Sequence, residues 1–196
     1  MARELALHEF GHMYLHEREH PSHTQSTREA ILLGLAGRSV ERRKLTHCYQ
    51  IANHMKDIYA DDRWLDVAPA DKLVAFLEAS LATALADRPG APPVSPPAPE
   101  GGHDLVSRLR PVPDPDITAV NAAFALALVE RHDLVDERHR IYDLAEAATS
   151  DAPDIEFEVF KQQFRSLAPD PNESEYRKTL VDLTRAYAGG SGPAAD

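Results

Sequence analysis

Apolar residues recur along most of the chain at intervals of three and four, and no long stretch alternates with period two. That pattern predicts an all-α fold, mainly helical and without an evident strand. Four helices are expected in the first half, over residues 2–20, 26–43, 45–59 and 71–86, the first of them stopped by Pro21. The third rests on Ile51, Met55 and Ile58, and the fourth on Leu73, Phe76, Leu77, Leu81 and Leu85. In the second half, PDITAVNAAFALALVER (115–131) is apolar nearly all round, so it reads as a central buried helix. Its expected partners cover residues 135–148, 155–167 and 173–188, and the middle one carries a compact face of Phe157, Phe160 and Phe164.

Between these groups lies PGAPPVSPPAPEGG, residues 89–102, with six prolines and three glycines. Such a segment reads as an extended linker with little to pack. The expected organisation is a helical module at 1–88, the linker at 89–102, a second helical module at 103–188, and a tail at 189–196 ending in small and polar residues. A chain of 196 residues with 43% hydrophobic content supplies a real core. Its formal net charge of −11 argues against nucleic acid and anionic membrane as partners, because both require a cationic face. The single cysteine, Cys48, forms no intramolecular disulfide, and no apolar run approaches the ~18 residues of a membrane span. With no apolar leader at the start, a cytoplasmic location is expected.

The chemistry is concentrated at the start, MARELALHEFGHMYLHEREHPSH. Two copies of one pattern, HEFGH and HEREH, place His8, His12, His16 and His20 in an i, i+4 ladder on one helical face. Histidines one turn apart can share a metal ion, with the intervening glutamate beside it. HEFGH sits among Leu5, Ala6, Leu7, Met13, Tyr14 and Leu15, an apolar setting in which a His–Glu–His group needs compensation. Gly11 adds a helix-weakening residue whose use is close approach of another backbone. HEREH has charged variable positions and runs into Pro21, so it reads as a solvated last turn. HEFGH is the expected metal site.

The stretch LALHEFGHMYLHE resembles the active-site helix of zincin metallopeptidases, and it is most similar to the ImmA/IrrE-type peptidases. The resemblance covers the first forty to sixty residues or so. It implies a zinc-dependent enzyme that hydrolyses peptide bonds in a protein or peptide substrate, with His8 and His12 as Zn2+ ligands and Glu9 as the general base that activates water. A catalytic zinc usually takes three protein ligands. Glu29, followed by alanine as in the ImmA/IrrE pattern, is the third ligand the resemblance implies, on a helix face continued by Leu33, Ala36 and Val40. Ser26-Thr27-Arg28-Glu29 is equally a capping box, in which Glu29 serves the helix start instead. LGLAGRSVER also resembles the LGGRAAEE helix of FtsH-type peptidase domains, which brings in Glu41; the aspartate ligand of that family falls on Lys44, with His47 one turn on. Zincins hold extended substrates on a sheet edge that precedes the HExxH helix. Here that edge is expected from a downstream segment or a partner. The alternative is a non-catalytic all-α interaction or regulatory protein with a structural or degenerate metal site.

Overall fold

A computed structural model of the protein describes residues 2–88 and 114–189. The linker at 89–102 and the tail beyond Gly189 lie outside the described residues. The described residues form helices and turns with no strand, and the fold is all-α. In chain order the helices are α1 (Ala2–Glu17), α2 (Pro21–Thr24), α3 (Thr27–Gly34), α4 (Arg42–Leu65), α5 (Ala70–Ala86), α6 (Pro115–Arg131), α7 (Arg140–Ser150), α8 (Phe157–Arg165) and α9 (Glu173–Gly189).

The centre is α6, whose residues from Ile117 to Val129 are buried at every position but Asn121. Asp114 caps its start by accepting the Asp116 amide, and Pro115 occupies the first turn, where no amide partner is needed. α5, α7, α8 and α4 pack around it. The Phe157, Phe160 and Phe164 face of α8 is buried as its spacing predicts. A reciprocal capping box, with Asn172 and Glu175 each accepting the other's amide, starts α9.

The two helical groups on either side of the proline-rich stretch share one core. α9 lies against α3 and α4, and α5 against α6 and α7, with buried residues from both groups in a single apolar cluster. Arg131 forks onto both oxygens of Asp62 at 3.0 and 2.9 Å, and His132 donates to the same carboxylate at 2.7 Å, tying α6 to α4. Cys48 is fully buried, and burial pushes its thiol up to about 11. Trp64 is buried, an anchor for the end of α4.

Three expectations need correction. The helix expected at 26–43 stops at Gly34: Leu35 leaves helical geometry, Gly37 takes a positive φ of 76°, and the chain restarts at Arg42. The Leu33–Ala36 side of α3 is exposed, while Ala30, Ile31 and Gly34 are the buried positions. α1 is a surface helix rather than a buried one, with Phe10 and Met13 exposed at 61% and 57% and Leu15 its buried apolar anchor. Phe76 on α5 also faces solvent, though the other four apolar residues of its stripe are buried.

Candidate metal centre

α1 crosses α4 at Gly11. A Cβ at that position would meet the backbone oxygen of Ala60 at 2.8 Å and its Cα at 3.1 Å, so only glycine admits this approach. The close crossing brings His8 and His12 onto the α4 stripe of His54, Asp57 and Asp61, positions i, i+3 and i+7 on one helical face.

Three donor atoms converge there. His8 Nε2 and His12 Nε2 are 3.0 Å apart, and Asp57 Oδ1 lies 3.4 Å from His12 Nε2 and 3.7 Å from His8 Nε2. Donors about 2.0–2.1 Å from a tetrahedral zinc are separated by roughly 3.3 Å, a value bracketed by these distances. Two imidazoles and one carboxylate form a mixed nitrogen and oxygen set suited to a borderline cation such as zinc. His8 and His12 each keep 23% of the side chain exposed and Asp57 keeps 26%, so the group opens at the surface.

The surroundings orient these donors. His8 Nδ1 donates to Asp61 Oδ1 at 2.7 Å, the carboxylate–histidine arrangement that turns the other ring nitrogen toward a metal. This bond is the main reason the His8 pKa is raised, against the effect of burial and with help from the charges of Asp61, Asp57 and Glu9. Burial raises the pKa of Asp61 itself, only partly offset by His8. Asp57 feels burial too, but hydrogen bonds and charge from the surrounding histidines outweigh it and hold its carboxyl at about 2. Asp57 is therefore ionised across the physiological range. On the far side, His12 Nδ1 lies 2.8 Å from His23 Nε2. Burial, with the charges of His12 and Lys56, pushes the His23 pKa down to about 4, so that ring is neutral at pH 7. His54 is held by Asn121 Oδ1 at 2.8 Å and by a stacked Phe124 ring, and its Nδ1 is 3.7 Å from Asp57 Oδ2.

Of the residues singled out in the sequence, His8 and His12 stand together in this group, and Glu9 is exposed on α1 close enough for its charge to act on His8. Glu29 is not among the gathered donors. It lies exposed in the first turn of α3, where its amide donates to Ser26 Oγ at 3.3 Å, one half of the capping box. Glu41 is the exposed residue before α4, and His47 is buried against Tyr187, Nδ1 to Oη 2.5 Å. The carboxylate that stands in the third position is Asp57, forty-five residues beyond His12. The signal for it was a polar stripe, His54-x-x-Asp57-x-x-x-Asp61, on a helix whose other face is Ile51, Met55 and Ile58. HEREH does not continue the ladder: α1 ends at Glu17, Glu19 adopts a φ of 53°, and His20 instead caps α2.

No curated protein and no solved structure matches the chain. No described helix is long and apolar enough to cross a membrane. One family matches over residues 1–189, a span holding both the histidine pair on α1 and the helices that form the shared core; the chain belongs to that family, described as "Family of unknown function (DUF5781)".

Proposed function

We propose that the protein is a zinc-dependent hydrolase of the zincin type, acting on peptide bonds, with His8, His12 and Asp57 as the metal-holding residues. The observation that carries this reading is the convergence of His8 Nε2, His12 Nε2 and Asp57 Oδ1 within 4.8 Å of one another, beside the glutamate of HEFGH. When bound at such a site, zinc supplies Lewis acidity and brings the pKa of a water toward ~7.

The chain's own groups supply the rest. Asp61 holds His8 through its Nδ1 proton, which turns Nε2 toward His12 Nε2 and Asp57. Asp57, ionised, contributes negative charge that offsets an added cation. Glu9, exposed on α1 beside His8, would take a proton from water and pass it to a leaving amine. Compared with the sequence reading, Asp57 replaces Glu29 as the third ligand proposed.

A second reading has its own observation. The described residues hold no strand, so they offer no sheet edge for an extended peptide, and the outward face of α1 exposes Phe10, Met13 and Tyr14 next to the metal group. That combination suits a metal-dependent interaction protein without turnover. One comparison separates the two: metal content and peptide cleavage of the protein and of Glu9→Gln. Zinc in both, with cleavage only by the unmutated protein, supports the hydrolase. Zinc in both without cleavage of a broad peptide library by either favours the interaction protein, and no zinc in either removes both readings.

A further inference from the structure

The outward side of α1 carries two adjacent ridges at i, i+4 spacing. Ala6, Phe10, Tyr14 and Arg18 form one, and Glu9, Met13 and Glu17 form the other, all of them exposed. Arg18 follows the last residue of α1 and prolongs its bonding, with its amide donating to the Tyr14 carbonyl at 3.1 Å. Phe10, Met13 and Tyr14 are 61%, 57% and 42% exposed. At roughly 200 Å² for each large side chain, they present on the order of 300 Å² of apolar surface to solvent. The charges around them are unequal in their engagement. The Arg18 and Arg63 guanidiniums lie over the Tyr14 ring, 5.1 and 6.0 Å from its centre, and Arg63 is 3.5 Å from Asp66. Glu9 and Glu17 form no ion pair with any described residue. Glu17 also ends α1, where the negative end of the helix dipole disfavours a carboxylate. Met13 thus stands between two unpaired carboxylates two turns apart, ~12 Å along the axis, on a chain of formal net charge −11.

We propose that this face of α1 docks a basic amphipathic helix, its apolar seam on Phe10, Met13 and Tyr14 and its lysine or arginine side chains on Glu9 and Glu17. The i, i+4 ridges of one helix fit the grooves of another, which is why the partner is helical. Its charge follows from the carboxylates: they repel an acidic segment, and the two guanidiniums that could attract one are already held on Tyr14 and Asp66. A second copy of the chain would bring its own Glu9 and Glu17 to the same seam. It would also have about 300 Å² of apolar surface to offer there, against the ~800 Å² per partner of a stable dimer. The proposal rests on the exposed α1 face that the interaction reading names, and it requires no zinc.

The test uses the metal-free full-length protein and two fluorescent helical peptides of about three heptads, each with a leucine seam, flanked in one by lysines and in the other by glutamates. Anisotropy is expected to show the lysine peptide binding about tenfold or more tighter than the glutamate peptide, and more weakly as salt is raised. Glu17→Lys, exposed and better suited to the helix end, should keep or raise Tm, weaken the lysine peptide by about threefold to tenfold and tighten the glutamate peptide. Phe10→Ser should weaken both peptides by about tenfold or more with Tm unchanged. No binding, equal affinity for the two peptides, or a lysine-peptide affinity indifferent to either substitution overturns the proposal. Two results overturn it by assigning the face to another occupant. A dimer in sedimentation that Phe10→Ser dissolves points to a second copy. Lysine-peptide binding that appears only after cleavage within residues 89–113 points to the chain's own stretch around Arg108 and Arg110. Zinc titration of the same samples is a separate readout: a protein that takes the lysine peptide but no zinc loses both metal readings and keeps the docking face.

Discussion

Adding one methyl group at Gly11 tests whether the α1–α4 crossing builds the metal group. In Gly11→Ala the new Cβ would stand 2.8 Å from the Ala60 carbonyl oxygen, against an ordinary contact of 3.4 Å or more, and every near atom is backbone. No side chain can turn aside, so α1 must lift by about 0.6 Å. Overpacking of this kind costs ~1–3 kcal/mol, while alanine regains ~1 kcal/mol of helix propensity. The net destabilisation is about 1 kcal/mol, a fall in Tm of roughly 2–4 °C for a chain of this size. The larger effect is on metal. Asp57 is one turn from Ala60 on α4, while His8 and His12 ride on α1, so the shift enters the donor distances directly. Metal–ligand distances tolerate only about 0.2 Å, and zinc affinity should fall by about tenfold or more. Thermal unfolding of the metal-free protein and chelator competition measure the two quantities. Gly37→Ala is the control: its Cβ meets nothing within 4 Å but its φ of 76° strains an alanine, so it should lower stability and leave zinc affinity unchanged. A Gly11→Ala protein as stable as the parent, with unaltered affinity, would refute the reasoning.

Four further outcomes follow from the same geometry. Asp57→Asn should lower zinc affinity by about two orders of magnitude or more, whereas Glu29→Ala should cost ~1 kcal/mol or less of stability and leave zinc bound; the reverse result in metal titrations would restore Glu29 as ligand. Asp61→Asn should weaken zinc binding by about tenfold to a hundredfold by freeing His8 to choose its tautomer, seen in the same titrations. His23 binds its proton more weakly when folded, with a pKa of about 4 against 6.5 unfolded, so the unfolded state holds more protons in that window. Its contribution is present above pH 6.5 and is lost as pH falls toward 4. The raised pKa of His8 works the other way, stabilising below 6.5 and fading as pH rises, so His23→Gln should flatten or invert the acid-side slope in denaturant titrations of metal-free protein. Cleavage within residues 89–113 should leave fragments that co-elute in gel filtration, because α3 and α4 pack on α9, and α5 on α6 and α7; separation of the halves would show that the shared core is weak.

How much of this was legible in the chain depends on which side of each helix carried the information. On α4 and α6 apolar spacing is dense and one-sided or all-round, so Ile51, Met55 and Ile58 and the interior of α6 are buried as their period requires. On α3 both sides carry leucines, and an eight-residue helix cannot be oriented by counting them; packing of Gly34 against Thr184 decides the face and turns Glu29 outward. Asp57 was hidden for a different reason. A carboxylate on the polar side of a helix looks solvated until another helix is known to cross there, and the crossing is set by Gly11, a residue that names a close approach without naming its partner. The histidine ladder shows the opposite case, a rule present in the sequence and applied too weakly. The residue before a proline is driven out of helical geometry, so His20 could not extend α1 into Pro21, and its backbone is extended at φ −61°, ψ 134°. The break that removes His20 from the ladder is what returns His20, Ser22 and His23 to the underside of His12. The turn after α1 thereby brings His23 Nε2 to 2.8 Å from His12 Nδ1, a contact that i, i+4 spacing alone cannot express.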